Sequence, residues 1–361
     1  MDSIGNIFKI TSFGESHGAV VGCIISGFPA GVSIHIEEIQ EAVNKRKTNQ
    51  YEYSSSRHEE DIVEILSGLF EGKTLGTPIA IQIKNKNAQA QDYEELKNIY
   101  RPNHADYTTA MKYGHRDYRG GGRSSIRVTA PIVAAGDIAR QFLQQLISLQ
   151  VIVYVNQIGN VQIENKYDYT IFEKKNFEIK NNLNCVDDAI AEKMLLELEK
   201  VKQQGDTLGG EITCIIKNCP AGLGEPLFDK FQSIIAKAMF TINTVKSLEF
   251  GAGRKSIAMK GSEMNDEFNI INKQIVTKTN HSGGIQGGIS NGQDIYFFVG
   301  FKPISSIQQV QQTVNDKLQE TTIQIAGRHD VCAVPRAVSI VSAYTYLSLA
   351  DMYFMNLPNV K

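Results

Sequence analysis

Apolar positions along this chain recur with two different periods. The β-branched runs VVGCIIS (20–26), EITCIIK (211–217) and DIYFFVGF (294–301), together with the alternating PIAIQIK (78–84), predict strands. Helical spacing is predicted elsewhere. Residues 131–149 carry apolar side chains all round an alanine-rich segment, the pattern of a buried helix, and Phe228, Phe231, Ile234, Ile235, Ala238 and Met239 fall on one helical face. A stretch from about 161 to 206 is rich in Lys, Asn and Glu and ends in DDAIAEKMLLELEKVKQQGD. It predicts a surface helix with its charges outward, peripheral to any chemistry. Strands and helices are therefore mixed in both halves. No linker rich in Pro, Gly or Ser divides the 361 residues, so a single domain spanning 1–361 is expected.

Charge and cysteine usage narrow the function classes. Lys and Arg number 37 against 39 Asp and Glu, a formal net charge of −2, so any basic cluster is local and a non-specific nucleic-acid binder is not expected. The five cysteines (Cys23, Cys185, Cys214, Cys219, Cys332) are odd in number, lack CxxC spacing and sit mostly in apolar runs. They read as reduced core thiols of a cytoplasmic protein. The N-terminal MDSIGNIFKI has no basic segment followed by an apolar one, and no run approaches the roughly 18 apolar residues of a spanning helix. Neither export nor membrane attachment is expected. The histidines show no HExxH or comparable spacing, and no metal site is assigned.

Candidate chemistry concentrates in three distant stretches: FGESHG (13–18), RPNHADYTTAMKYGHRDYRGGGRSSIR (101–127) and GRHDVCAVPRA (327–337). The middle one holds Arg101, Arg116, Arg119, Arg123 and Arg127 with His104 and His115, three consecutive glycines (Gly120, Gly121, Gly122) and the hydroxyls of Ser124 and Ser125. Guanidinium forks bind phosphate or carboxylate bidentately, and glycines let backbone N–H groups approach an anion. A phosphorylated or carboxylated ligand follows. The plain alternative, a solvated basic loop, leaves the histidines and serines without a purpose. Two look-alikes are set aside. SGLFEGKTLG, with Gly68, Gly72, Lys73 and Thr74, is a P-loop with its first glycine one residue too close, and GAGRKS (251–256) lacks the third glycine of a dinucleotide fingerprint.

Taken in order, FGESHG, RPxHADYT with KYGxxDxRGGGRSSxR, GGIxGGIS, FKPxSSI and GRHDxCAVPRA resemble the chorismate synthase family over nearly the whole chain. The resemblance implies an α+β fold, a four-layer β-α-α-β sandwich with an internal pseudo-repeat, assembled as a homotetramer. It implies conversion of 5-enolpyruvylshikimate 3-phosphate to chorismate and phosphate, a 1,4-elimination of the 3-phosphate and a C6 hydrogen. The implied cofactor is reduced FMN, with no net redox change; NADPH stays open as an indirect reductant, and the chain carries no extra domain for flavin reduction. By the same resemblance Arg46, Arg101 and Arg127 face the substrate. His17 would protonate the flavin near its N1–C2 carbonyl with help from Ser16, His104 would serve the departing phosphate, and Asp330 would take the N5 proton. Cofactor contacts fall to Arg123, Ser124, Ser125, Asn243, Thr244, Gly287, Lys302, Pro303, Ile304, Ser305, Ser306 and Arg328. The remaining histidines, His35, His58, His115, His281 and His329, read as ordinary core or surface residues.

Four positions depart from the family pattern: Asn103 for a glycine, Val128 for an acid, Thr244 for an alanine, and Glu52 where arginine is common, within a loose KRKTNQYEY run (45–53). Two other readings compete. An RNA-backbone binder gripping through RGGGR and KRK (45–47) would lose affinity steeply with salt and want interleaved aromatics, of which only Tyr113 and Tyr118 are nearby. An ordinary flavin oxidoreductase would consume a nicotinamide reductant stoichiometrically with product.

Overall fold

The computed structural model describes residues 2–47, 60–86, 96–167, 179, 181–325 and 330–357. The first half supplies β1 (Ser3–Ile4), β2 (Lys9–Phe13), β3 (Val20–Ser26), α1 (Ile36–Lys45), β4 (Glu64–Ile65), β5 (Ile79–Lys84), α2 (Asp106–Tyr113) and α3 (Thr129–Leu146). From the second come β6 (Gln150–Ile158), β7 (Val161–Gln162), α4 (Asp188–Gln203), β8 (Gly210–Lys217), α5 (Phe231–Met239), β9 (Val245–Phe250), β10 (Ile295–Phe301) and α6 (Val334–Asn356). Each half builds one antiparallel sheet, in the orders β1-β2-β3-β5-β4 and β7-β6-β8-β10-β9.

These orders are one topology used twice. In the first half the chain runs β2, β3, α1, β4, β5, α3; in the second, β6, β8, α5, β9, β10, α6. In both, the fourth strand inserts between the second and the third, and a short extra strand borders the first. α3 packs on β2, β3 and β5, while α6 packs on β6 and β8. The two helices then face each other, with α1 against α3 and α5 against α6, completing a β-α-α-β sandwich.

Patterning explains the layers. In β5 the alternation buries Ile79, Ile81 and Ile83 and pairs them with Ile25, Cys23 and Val21 of β3. Across β8 and β10, Ile216, Cys214 and Ile212 pair with Ile295, Phe297 and Val299, all buried. α3 and α6 are covered on both sides by a sheet and a helix, so most of their residues are buried, and neither shows a single apolar stripe. Their closest approach is at Gly136, where a Cβ would lie 2.4 Å from the Ala343 Cβ. Near the end of α6 the buried Asp351 carboxylate accepts the backbone N–H groups of Asn6, Ile7 and Phe8 at 2.8–3.0 Å and ties the start of the first sheet to the last helix.

The four expected strands form within a residue of their predicted ends. Two helices differ. The buried helix runs Thr129–Leu146 and stops where Ile147 turns extended, ahead of the expected 149. α5 starts at Phe231, so Phe228 is not on its apolar face but 84% exposed in the preceding turn. That turn is held by the Glu225 N–H donating to Asp229 O, and Phe231 N–H is taken by Gly288 O. α4 buries Ala191, Met194, Leu198 and Val201 and turns its charges outward, as its pattern predicts. The P-loop look-alike is a hairpin of Leu69–Phe70 with Lys73–Leu75, and GAGRKS forms a turn and a 3-10 segment. All five cysteines are free and buried, and burial pushes the thiols of Cys23, Cys214, Cys219 and Cys332 up to about 12.

Candidate active site

The motif-bearing loops occupy related places in the two halves. Residues 101–127 lie in the β5–α3 connection, and 302–306 with 330–333 lie in its counterpart, the β10–α6 connection. Hydrogen bonds stitch the two together. Ser305 Oγ donates to the Asn103 carbonyl at 2.8 Å, and Asn243 Nδ2, from the α5–β9 loop, donates to the Ser124 carbonyl at 2.5 Å. Thr244 O accepts the Lys302 N–H at 2.9 Å.

The β2–β3 loop brings in His17, which is buried, with Nδ1 3.0 Å from Ser16 Oγ. Gly120 closes over it. A Cβ there would sit 2.4 Å from His17 Cε1, and φ is +69°, so the glycine is required twice over. Arg123 clamps the same loop, donating to the carbonyls of Ser12 and Gly14 at 3.2 and 2.9 Å, while Asn85 Nδ2 donates to the carbonyls of Glu15 and Gly18. Arg123 is thereby a structural clasp between FGESHG and RGGGR.

Around these loops lies a buried charge network. Arg46, at the end of α1, donates to Asp61 Oδ2 at 2.9 Å, and Arg127 donates to the other oxygen of the same carboxylate. Arg127 also donates to Asn85 Oδ1 and Lys84 O. Arg336, in the first turn of α6, donates to Asp330 Oδ2 at 2.5 Å and to the Arg46 carbonyl at 3.3 Å. Arg101 grips Asp106 through Nε and NH2, both at 2.7 Å, and the Gly120 carbonyl at 2.9 Å; Arg116 NH1 lies 3.2 Å from Asp106 Oδ1. Among the described residues, five guanidinium groups here meet three carboxylates.

Such a cluster carries surplus positive charge out of water, and its electrostatics show the strain. Burial pushes Arg46 down to about 10 against the pull of Asp61, with Arg336 and Arg127 pushing the same way. Burial would raise the Asp61 and Asp106 carboxyls, but the arginines around each outweigh it and hold both below the usual carboxylate range. At Asp106 the neighbouring His104 adds to that effect. Lys302 is half-buried and donates, among the described residues, to Pro303 O and Ser305 Oγ; its pKa is lowered by burial and by Lys246. Among the described residues the cations here outnumber the carboxylates, an arrangement whose physics favours an anion.

Hydrogen bonds and ion pairs link most of the residues expected from the sequence, His17, His104, Asp330, Arg46, Arg101, Arg127, Arg123, Ser124, Ser125, Asn243, Thr244, Lys302, Pro303 and Ser305, to these loops, and Ser306 next to Ser305 is buried. The Ile304 carbonyl accepts from Thr207 Oγ1 at 2.7 Å. Gly287 lies in a glycine-rich hairpin, Ile285–Gln286 with Ile289–Ser290, whose hydrogen bonds run to Leu223, Phe231, Asn280 and Asn291. Its φ is +60° and a Cβ there would meet open space. Arg328 and Glu52 lie outside the described residues. Sequence reasoning missed Asp61, Asp106 and Arg336. Asp106 and Arg336 stand inside quoted motifs, in HAD and VPR, so the signal for them was a carboxylate two residues from His104 and a guanidinium six from Asp330.

Comparison with known proteins gives a consistent result. Residues 8–354 match the family described as chorismate synthase. Chorismate synthase of Christiangramia forsetii is 50% identical over 355 residues, and that of Phocaeicola vulgatus 48% over 355, each alignment covering 98% of both chains. A solved structure described as a crystal structure of chorismate synthase superposes with a TM-score of 0.77 at 28% identity, covering 98% of this chain and 93% of that one.

Proposed function

This chain belongs to the chorismate synthase family, and from that premise we propose that the cationic cluster described above is its active site, with residues 1–361 working as one domain. The reaction is the 1,4-elimination that turns 5-enolpyruvylshikimate 3-phosphate into chorismate and phosphate, a lyase step of the shikimate pathway to aromatic compounds. The observation that carries the site assignment is the surplus, among the described residues, of guanidinium over carboxylate in a buried cluster bordered by two histidines. A substrate with one phosphate and two carboxylates matches that surplus.

The residues present also fit a flavin mononucleotide. Lys302 lacks a carboxylate partner among the described residues and donates to Ser305 Oγ, and with Ser306, Ser124, Ser125 and Asn243 as further hydroxyl and amide groups it makes up a proposed set for a phosphate and a polar ring edge. Pro303, Ile304 and Thr244 supply backbone, and Arg328 and Gly287 complete the proposed contacts. Reduced FMN, when bound, supplies electron density and a basic nitrogen to an elimination without net redox change. Arg46, Arg101 and Arg127 bind the substrate's anions, pre-aimed by Asp61 and Asp106. His17, with Nδ1 engaged by Ser16, exchanges a proton through Nε2. His104 protonates the departing phosphate, and Asp330, held by Arg336, accepts a proton at its carboxylate. NADPH enters only as an indirect source of reducing equivalents.

A cytoplasmic homotetramer is proposed as the working form. Supporting it are five free cysteines and large apolar side chains left in water, among them Leu318, Ile257 and Phe228; light scattering on the purified protein tests the tetramer. No helix among the described residues is long and apolar enough to cross a membrane.

An anaerobic assay with 5-enolpyruvylshikimate 3-phosphate tests the reading as a whole. Multiple turnovers of chorismate and phosphate are expected only with pre-reduced FMN and without further consumption of reductant; stoichiometric consumption would point to an oxidoreductase instead. His104→Ala should slow turnover by about 10²- to 10⁴-fold with FMN affinity near normal. Equal loss of both would remove His104 from the acid role.

A further inference from the structure

We propose that Asp106 is the positioning residue that fixes the ring of His104, so that its Nε2 is the atom presented to the departing phosphate; the inference rests on the reading of His104 as the acid. Asp106 opens α2 and is buried. Its orientation is locked. Oδ2 accepts the backbone N–H of Arg101 at 3.1 Å and Arg101 Nε at 2.7 Å, while Oδ1 accepts Arg101 NH2 at 2.7 Å. A carboxylate gripped on both oxygens by one planar fork cannot rotate freely. Oδ1 is therefore held facing two further groups, Arg116 NH1 at 3.2 Å and His104 Nδ1 at 3.3 Å.

The Nδ1 atom of His104 is itself buried and has no well-aligned hydrogen bond, although the ring as a whole keeps about a fifth of its surface in solvent. Asp106 is thus the acceptor beside it, and an ionised carboxylate cannot donate. The proton must then lie on Nδ1, which leaves Nε2 as the exchanging nitrogen. The backbone supports the placement: Asn103 takes a left-handed φ of +55°, and His104 N–H closes the turn onto the Arg101 carbonyl at 3.2 Å. Carboxylate, histidine and arginine are thereby fixed within six residues. When substrate arrives, the poorly aligned 3.3 Å contact is expected to tighten.

Asp106→Asn, Asp106→Glu, Arg101→Lys and His104→Ala compared in steady-state kinetics with reduced FMN separate the possibilities. Asp106→Asn should lower kcat by roughly 10- to 100-fold, a part of the loss seen in His104→Ala, with FMN affinity kept. Asp106→Glu should recover some of it. Arg101→Lys should act mainly on KM. If Asp106→Asn raises KM alone, Asp106 serves only Arg101 and the proposal is wrong. It is equally wrong if kcat stays at the wild-type value while His104→Ala is impaired. A His104→Ala enzyme of near-normal kcat would instead overturn the acid reading itself. Nitrogen-15 histidine spectra of the wild-type enzyme decide the matter even if the variants do not fold: the neutral His104 ring is expected to keep its proton on Nδ1, and a neutral ring protonated on Nε2 alone overturns the proposal.

Discussion

Asn103 stands where the family pattern has glycine, and its backbone shows why asparagine is tolerated. Its φ of +55° lies in the left-handed region, which asparagine enters more easily than any β-branched residue. The turn it makes holds its carbonyl against Ser305 Oγ and sets His104 beside Asp106. Asn103→Gly should therefore leave thermal stability within about 1 kcal/mol of wild type, while Asn103→Val should cost about 1–2 kcal/mol; equal stabilities for the two variants would show that the turn does not depend on this conformation. Val128, another departure, packs against the core as an apolar side chain. Nothing in the structure explains a threonine at 244, where φ is +69°. At this scale the cationic half of the site was legible, because arginines, histidines and glycines cluster in sequence. Its anionic half was not. Asp61 is 15 residues from Arg46 and 66 from Arg127, and sits among other acids that give no sign of which one turns inward.

Helices α3 and α6 were only half legible for a related reason. Periodicity marked residues 131–149 as buried on every side but could not name the partner that covers them. Nor could it place the start of α5, since Phe228 keeps the helical spacing and yet lies in a turn whose stability comes from Gly288 and Asp229, outside the helix. Strands fared better because alternation states directly which side faces the core, as Ile79, Ile81 and Ile83 do in β5. The α3–α6 contact makes its own prediction. Alanine is the better helix former by about 1 kcal/mol, but a methyl at Gly136 would overlap Ala343 at 2.4 Å. Gly136→Ala should then destabilise the protein by about 1–3 kcal/mol, and adding Ala343→Gly should return a measurable part of the loss in a denaturant double-mutant cycle. Strict additivity of the two changes would mean that the helices do not meet at this pair.

At the scale of the molecule, two copies of one strand order present two equivalent connections, β5–α3 and β10–α6, to each other, and the proposed site lies at that junction. The repeat was not visible in apolar periodicity, which carries no information on strand order; it entered only through the family resemblance. Asp61 shows how strongly the junction depends on charge. It neutralises Arg46 from the end of α1 and Arg127 from the approach to α3, while Arg336 of α6 reaches the Arg46 backbone. Removing its charge leaves two buried guanidinium groups uncompensated, so Asp61→Asn should cost about 3–5 kcal/mol near neutral pH. The pH dependence has a definite sign. The folded state holds the Asp61 carboxyl below its ordinary value, so its stabilisation is fully present above the unfolded carboxylate range near pH 4 and is lost as pH falls through the lower folded value. Urea midpoints of wild type and Asp61→Asn, measured from pH 8 downward, should therefore keep a constant separation to about pH 5 and converge below about pH 4. A separation that persists or widens in acid would mean that Asp61 acts through its shape and hydrogen bonds, and that the buried arginines are balanced by something other than its charge.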